Sequence, residues 1–110
     1  MSILTHDEIL KEIDAGRIGI EPFVPEAVGP ASVDLRLDKQ FRTFKKMHTP
    51  FAVTEEADYE KVTDYFEVKD HFLLLPGESV LGITQEKITL PSNICGWLEG
   101  RSRFARVGLT

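Results

Sequence analysis

HFLLLPGESVLGITQEKITLPSNICGWL, residues 71–98, reads as a succession of short strands broken by turns. HFLLL and SVLGITQ flank the Pro76-Gly77-Glu78 turn, EKITL follows, Pro91-Ser92-Asn93 makes a second turn, and ICGWL closes the run. Proline removes a ladder donor and glycine permits the backbone reversal, so each turn ends one strand and lets the next begin. Several short strands at this spacing imply a barrel or a sandwich, and the chain is expected to be mainly β.

Upstream of this stretch, SVDLRL alternates, with Val33, Leu35 and Leu37 on one face and Ser32, Asp34 and Arg36 on the other, which predicts a strand over 32–37 and a further one across 41–44. Residues 45–65 mix Lys45, Lys46, Glu55, Glu56, Asp58, Glu60 and Lys61 with little periodicity and read as a long surface excursion. Pro22, Pro25, Gly29 and Pro30 break up residues 21–31. At the amino end, Thr5 with Glu8 has the spacing of a capping box, and Leu4 with Ile9 that of a hydrophobic staple. Ile9, Leu10 and Ile13 then share a face and Gly16 supplies a stop, predicting a short amphipathic helix over 6–15.

The 110 residues fit one domain, 1–110. Hydrophobic residues at 42% and charged ones at 28% are ordinary for a soluble globular protein, and no apolar run approaches the ~18 residues that span a bilayer. A membrane location is excluded on this reading. MSILTHDEIL lacks the features of a secretory signal and the lone Cys95 cannot form an internal disulfide, so a cytoplasmic setting is expected. The net charge of −5 argues against a nucleic-acid polymer as partner. The charge is uneven, however. Residues 100–110 hold Arg101, Arg103 and Arg106 and no acid, which leaves 10 basic against 18 acidic residues elsewhere. A compact basic spot suits a small polyanion.

Several local patterns are excluded by what they lack. His6-Asp7-Glu8 matches half of a zinc-deaminase signature, but the other half needs two cysteines and the chain has one. No zinc site is expected. His48 and His71 show no ligand-like spacing to each other or to Cys95. Gly77 to Gly82 has phosphate-loop spacing, but Ile83 stands where the lysine would be. Cys95 and Trp97 lie in an apolar run and are read as a buried thiol and a core indole. Asp34 either is a solvated carboxylate or borders a polar site, with the preceding Gly29-Pro30-Ala31-Ser32 allowing tight backbone packing.

GRSRFARVGL, residues 100–109, makes little sense as core. Read as a strand it mixes Ser102, Phe104 and Arg106 on one face. Read as a helical turn capped by Ser102, it puts Ser102 and Arg106 on one face at i, i+4 and pairs Phe104 with Val107 on another, between Gly100 and Gly108. Free backbone N–H groups at a helix start and the two-pronged grip of a guanidinium both favour phosphate oxygens. The alternative is that the three arginines simply pair with the surplus carboxylates.

GWLEGRSRFARVGL (96–109) resembles the GWxxGRSSLARLGL stretch of dCTP deaminases, members of the trimeric dUTPase superfamily. LGITQEKITLPSNICGWLEG, GPASVDLRL and FRTF also resemble segments of that family, and the likeness covers most of the chain outside 45–70. The resemblance implies a distorted, dUTPase-like β-barrel with a short amino-terminal helix, assembled as a homotrimer with active sites between subunits. It further implies hydrolytic deamination of dCTP to dUTP and ammonia without zinc, in the supply of dTTP precursors, the triphosphate being bound with Mg²⁺. By the same resemblance Ser102 helps to place the attacking water, Arg106 hydrogen-bonds near the reacting pyrimidine, and Arg101 contacts the triphosphate. Arg103 stands where the family commonly has a second, phosphate-contacting serine, a change that either retunes phosphate binding or faces solvent. The family's general base is a glutamate in a later strand that no glutamate here matches. The 110 residues are therefore expected to be an amino-terminal portion, truncated before the final strands and inactive alone.

Two rival readings remain. A dUTP diphosphatase shares the implied fold but hydrolyses the α–β phosphate bond, and its basic residue usually comes one place later after the alanine; Arg106 directly after Ala105 favours the deaminase, and some members of the family perform both reactions. A non-catalytic nucleotide-binding or structural subunit is the other.

Overall fold

The computed structural model describes residues 2–110, whose elements are helix α1 (His6–Asp14), strands β1 (Gly19–Glu21), β2 (Leu37–Phe44), β3 (Thr63–Glu67), β4 (Val80–Thr84) and β5 (Lys87–Thr89), and the short helix α2 (Ser102–Ala105). The chain is mainly β, as its sequence indicates, and divides into two compact units, residues 1–33 with 87–110 and residues 34–86. Among the described residues the strands lie in a two-stranded sheet, in the first unit, and a three-stranded sheet, in the second.

In the first unit α1 turns its apolar stripe inward through Ile9, and Ile9, Ile18, Ile20 and Val28 are all buried. Thr5 is the N-cap, but its hydroxyl makes no capping bond, so the expected capping box is not formed. The helix start is held instead by the His6 amide, which donates to the Pro30 carbonyl at 2.8 Å, while Asp7 and Glu8 face the positive end of the helix dipole. Gly16, at φ 73°, ends the helix in the left-handed region that glycine enters without penalty. β1 then pairs antiparallel with β5 in the register Gly19↔Thr89, Ile20↔Ile88 and Glu21↔Lys87.

In the second unit β2 lies between β3 and β4, antiparallel to both. Phe41 is its buried centre, with the Phe66 ring centroid 5.9 Å and the Phe72 centroid 4.7 Å away; Phe66 and Phe72 meet edge-to-face at 5.4 Å. Gly82 lies opposite Phe41 because a Cβ there would come within 3.0 Å of the phenylalanine ring.

Five sequence-based expectations fail in instructive ways. The strand predicted at 32–37 is displaced: Val33 makes only an isolated bridge with Val28, and the ladder starts at Leu37 and runs on to Phe44. The Arg36 amide is taken by the Glu86 carboxylate, so it cannot join a ladder. The surface excursion expected over 45–65 ends early, in a 3₁₀ turn at Tyr59–Lys61 and in β3. HFLLL (71–75) pairs with no strand; its Phe72 is captured by the Phe41–Phe66 cluster instead. ICGWL (94–98) also forms no strand among the described residues, and the expected burial of Cys95 and Trp97 is wrong: Cys95 is exposed and Trp97 is 85% exposed. Without a paired strand there, nothing covers the indole.

Candidate functional site

The path to residues 100–109 starts at the β1–β5 pair. Arg17, just beyond α1, places Nε 2.5 Å from Glu12 Oε2 and donates through Nη2 to Asn93 Oδ1 at 2.9 Å. One guanidinium thus ties the Pro91–Asn93 turn to the end of α1. The Ile94 amide closes that turn on the Pro91 carbonyl at 3.1 Å, and the chain then runs without regular structure to α2.

Helix α2 is a single turn, as the helical reading of GRSRFARVGL requires, though its cap is Arg101 and Ser102 is its first residue. The Arg106 amide donates to the Ser102 carbonyl at 3.0 Å, and Arg106 keeps helical angles. The end is a Schellman motif: the Gly108 amide bonds the Ala105 carbonyl and the Leu109 amide the Phe104 carbonyl, each at 3.0 Å, with Gly108 at φ 92°. Left-handed backbone at that position is the physical reason for glycine there. So short a helix carries little macrodipole, and any anion affinity must come mainly from side chains.

Those side chains are Arg101, Ser102, Arg103 and Arg106, and the structure brings all four onto or beside one exposed turn. Elsewhere each arginine is matched to a carboxylate: Arg17 to Glu12, Arg36 to Glu86, and Arg42 to Glu60. Arg103 and Arg106 are different. Among the described residues neither guanidinium has an ion-pair or hydrogen-bond partner, although acids outnumber bases in the chain, and the Ser102 hydroxyl is likewise without one. For these two arginines, pairing with surplus carboxylates does not account for their presence.

The 34–86 unit has a shallow hollow of about 360 Å³ bordered by Arg42, Tyr59, Tyr65, Leu81 and Ile83. Its cation is already engaged. Arg42 lies 5.3 Å from the Tyr59 ring centroid and 5.7 Å from that of Tyr65, donates to the Thr63 hydroxyl at 3.3 Å, and has Glu60 at 3.7 Å. The Tyr65 hydroxyl donates to Glu67 at 2.8 Å, and this bond raises the phenol's pKa above the ordinary 10.0. Sequence reasoning did not single out this cluster, because its members become neighbours only through the β2–β3 register that sets Arg42 opposite Tyr65.

Comparison with known proteins agrees with the motif at α2. Residues 3–110 match the family described as dCTP deaminase-like. The chain belongs to that family. It is 43% identical over 109 residues to a Corynebacterium glutamicum protein named "dCTP deaminase, dUMP-forming", a match covering 97% of this chain and 57% of that one. Proteins of the same name from Corynebacterium kroppenstedtii (43% identical, 97% and 58% covered) and a Nocardioides species (42%, 97% and 56%) are similar to it as well. The chain therefore spans somewhat more than half the length of these curated relatives. No helix among the described residues is long and apolar enough to cross a membrane, and no three His, Cys, Asp or Glu side chains there converge as a metal site would require.

Proposed function

We propose that these residues carry the nucleotide-gripping part of a dCTP deaminase whose product is dUMP. The observation that supports this most is the pair of unpartnered guanidiniums beside an unpartnered hydroxyl on α2, in a chain of the dCTP deaminase-like family. The dUTP product expected from resemblance alone gives way here to dUMP, because the relatives are named for forming it.

In this reading a water attacks C4 of the cytosine ring, ammonia leaves, and a second water cleaves the α–β phosphate bond, so that dCTP and two waters yield dUMP, ammonia and pyrophosphate. Ser102 orients the first water, Arg106 hydrogen-bonds the pyrimidine, and Arg101 and Arg103 hold the phosphates. None of these four can take the attacking water's proton, since guanidinium stays charged and a serine hydroxyl is a poor base near neutrality. Turnover accordingly needs a separate general base. Mg²⁺ would travel on the triphosphate oxygens, since the described residues present no carboxylate cage for it. Assembly as a cytoplasmic homotrimer is part of the proposal. Trp97, Leu98, Phe104, Val107 and Leu109, all exposed, are apolar surface that a neighbouring subunit would cover.

The test is a chimera in which residues 1–110 replace the corresponding part of the C. glutamicum protein. Incubated with dCTP, it should release ammonia and give dUMP by ion-exchange chromatography. Accumulation of dUTP alone would overturn the dUMP product, and absence of ammonia would overturn the deaminase.

A further inference from the structure

Arg17 is held from two sides by Glu12. Its amide donates to the Glu12 carbonyl at 2.9 Å, its Nε lies 2.5 Å from the Glu12 carboxylate, and the next residue, Ile18, is buried. Gly16, directly before it, turns the backbone through the left-handed region, so Arg17 leaves α1 on a fixed course. Nη2, at the far end of the guanidinium, then reaches Asn93 Oδ1 at 2.9 Å, across 76 residues of sequence. From Asn93 the chain runs without regular structure to α2. That helix makes its own shape but not its own position. The Arg106, Gly108 and Leu109 amides close the turn on the Ser102, Ala105 and Phe104 carbonyls, and none of residues 102–105 is buried. Trp97 and Leu98, between Asn93 and α2, are exposed as well. Within one chain, the place of the turn therefore depends on where its leading segment is tied.

We propose that Arg17 is a positioning residue for the deamination: through Asn93 it sets where the turn carrying Ser102 and Arg106 stands relative to the group that takes the attacking water's proton. This rests on the reading of that turn as part of the nucleotide site, and it adds a residue that touches neither substrate nor water. The Arg17 side chain is 46% exposed, and contacts of that kind add little to global stability. Position matters more to rate, because a misplacement of about 1 Å costs on the order of 10²-fold. A turn that keeps its shape keeps its grip on the nucleotide. Loosening its tether therefore lowers kcat far more than it raises KM.

The test is kinetic, in the chimera, with Arg17→Met, which keeps the aliphatic stem without the guanidinium, and Asn93→Leu, which removes the acceptor and leaves the Arg17–Glu12 pair intact. Each should lower kcat for ammonia release by about tenfold or more with KM for dCTP little changed. The double variant should lose no more than the weaker of the two single ones, since both cut the same bond. Asn93→Asp keeps an acceptor for Arg17 and should retain the parent's kcat. Should Arg17→Met unfold for want of a partner for Glu12, Asn93→Leu decides the matter, and its melting temperature should stay near the parent's. The role is overturned by parental kcat in Asn93→Leu, by losses that multiply in the double variant, or by Asn93→Asp as slow as Asn93→Leu. A melting temperature that falls in step with kcat in Asn93→Leu overturns it too. Relaxation of the ¹⁵N-labelled protein gives a second reading: Asn93→Leu should loosen residues 94–109 on the nanosecond scale while α1 stays rigid, and unchanged relaxation there contradicts the tether. Failure of the deaminase reading looks different: the chimera with Arg17 and Asn93 both in place would release no ammonia, while the relaxation of residues 94–109 still responded to Asn93→Leu.

Discussion

Arg36 and Glu86, 50 residues apart in sequence, are joined at three points. The Arg36 amide donates to both Glu86 oxygens, at 3.2 and 3.1 Å, and the guanidinium Nε donates to Oε1 at 2.9 Å. Glu86 is among the few buried polar residues, and the Thr84 hydroxyl donates to its carbonyl at 2.8 Å. Together these bonds fix where the β2–β4 ladder starts. The Arg36 guanidinium, and then the Arg36 amide, hold the Glu86 carboxyl below its ordinary pKa of 4.5, although partial burial pulls the other way.

A carboxyl whose folded-state pKa is depressed stabilises the fold above its unfolded pKa and loses that contribution as pH falls through the folded value. Glu86→Gln should therefore lower the melting temperature at pH 7, and the gap between variant and parent should narrow as pH falls below the carboxyl's ordinary 4.5 and through its depressed folded-state value. Equal gaps at pH 7 and pH 3 in thermal melts would show that the charge contributes nothing.

Phe41 is packed by Phe66 and Phe72, and no described side chain is completely buried, so this aromatic cluster bears an unusual share of the 34–86 core. Phe41→Ala should cost about 3–5 kcal/mol in urea unfolding. A loss under about 1 kcal/mol would mean that the cluster is loosely held.

Gly108 closes α2 in the left-handed region. Gly108→Ala forces a Cβ into that conformation at about 1–2 kcal/mol, which the turn can avoid only by unwinding from under Ser102 and Arg106. In the chimera this should raise KM for dCTP by about tenfold with the melting temperature little changed. An unchanged KM would separate the geometry of the turn from nucleotide binding.

Ser102→Ala in the chimera should lower kcat by about 10²-fold, the scale of losing one positioned polar group at a reacting centre, and Arg106→Ala should abolish measurable turnover. Both variants should keep the parent's oligomeric state by light scattering. Near-normal turnover in either would remove that residue from the chemistry.

How much of this was readable in the sequence depended on whether the deciding interaction is local. Gly16, Gly77 and Gly108 mark turns in the sequence and all three take positive φ, because a chain reversal can be met by one residue. Helix α1, strands β4 and β5 and the turn of α2 follow from short-range patterns in the same way. The displaced strand at 32–37 does not: its alternation is real, yet a glutamate 50 residues later takes the Arg36 amide. Nothing in the Gln85-Glu86-Lys87 triplet distinguishes that acid from the others. β3 was hidden because Thr63-Asp64-Tyr65-Phe66-Glu67 has a single strongly apolar inward residue, and it becomes a strand by pairing with β2. At the candidate site, the residue types and their spacing were readable, whereas the lack of partners for Arg103 and Arg106 required the whole arrangement of carboxylates.

The central claim is that the turn from Arg101 to Arg106 grips the nucleotide, and amide chemical shifts test it most directly. Titrating dCTP into the ¹⁵N-labelled protein should move the amide resonances of residues 100–108 in a saturable, salt-sensitive way and leave those of β2 and β3 nearly still. Saturable shifts centred on the Arg42–Tyr65 hollow, or none at residues 100–108, would contradict it.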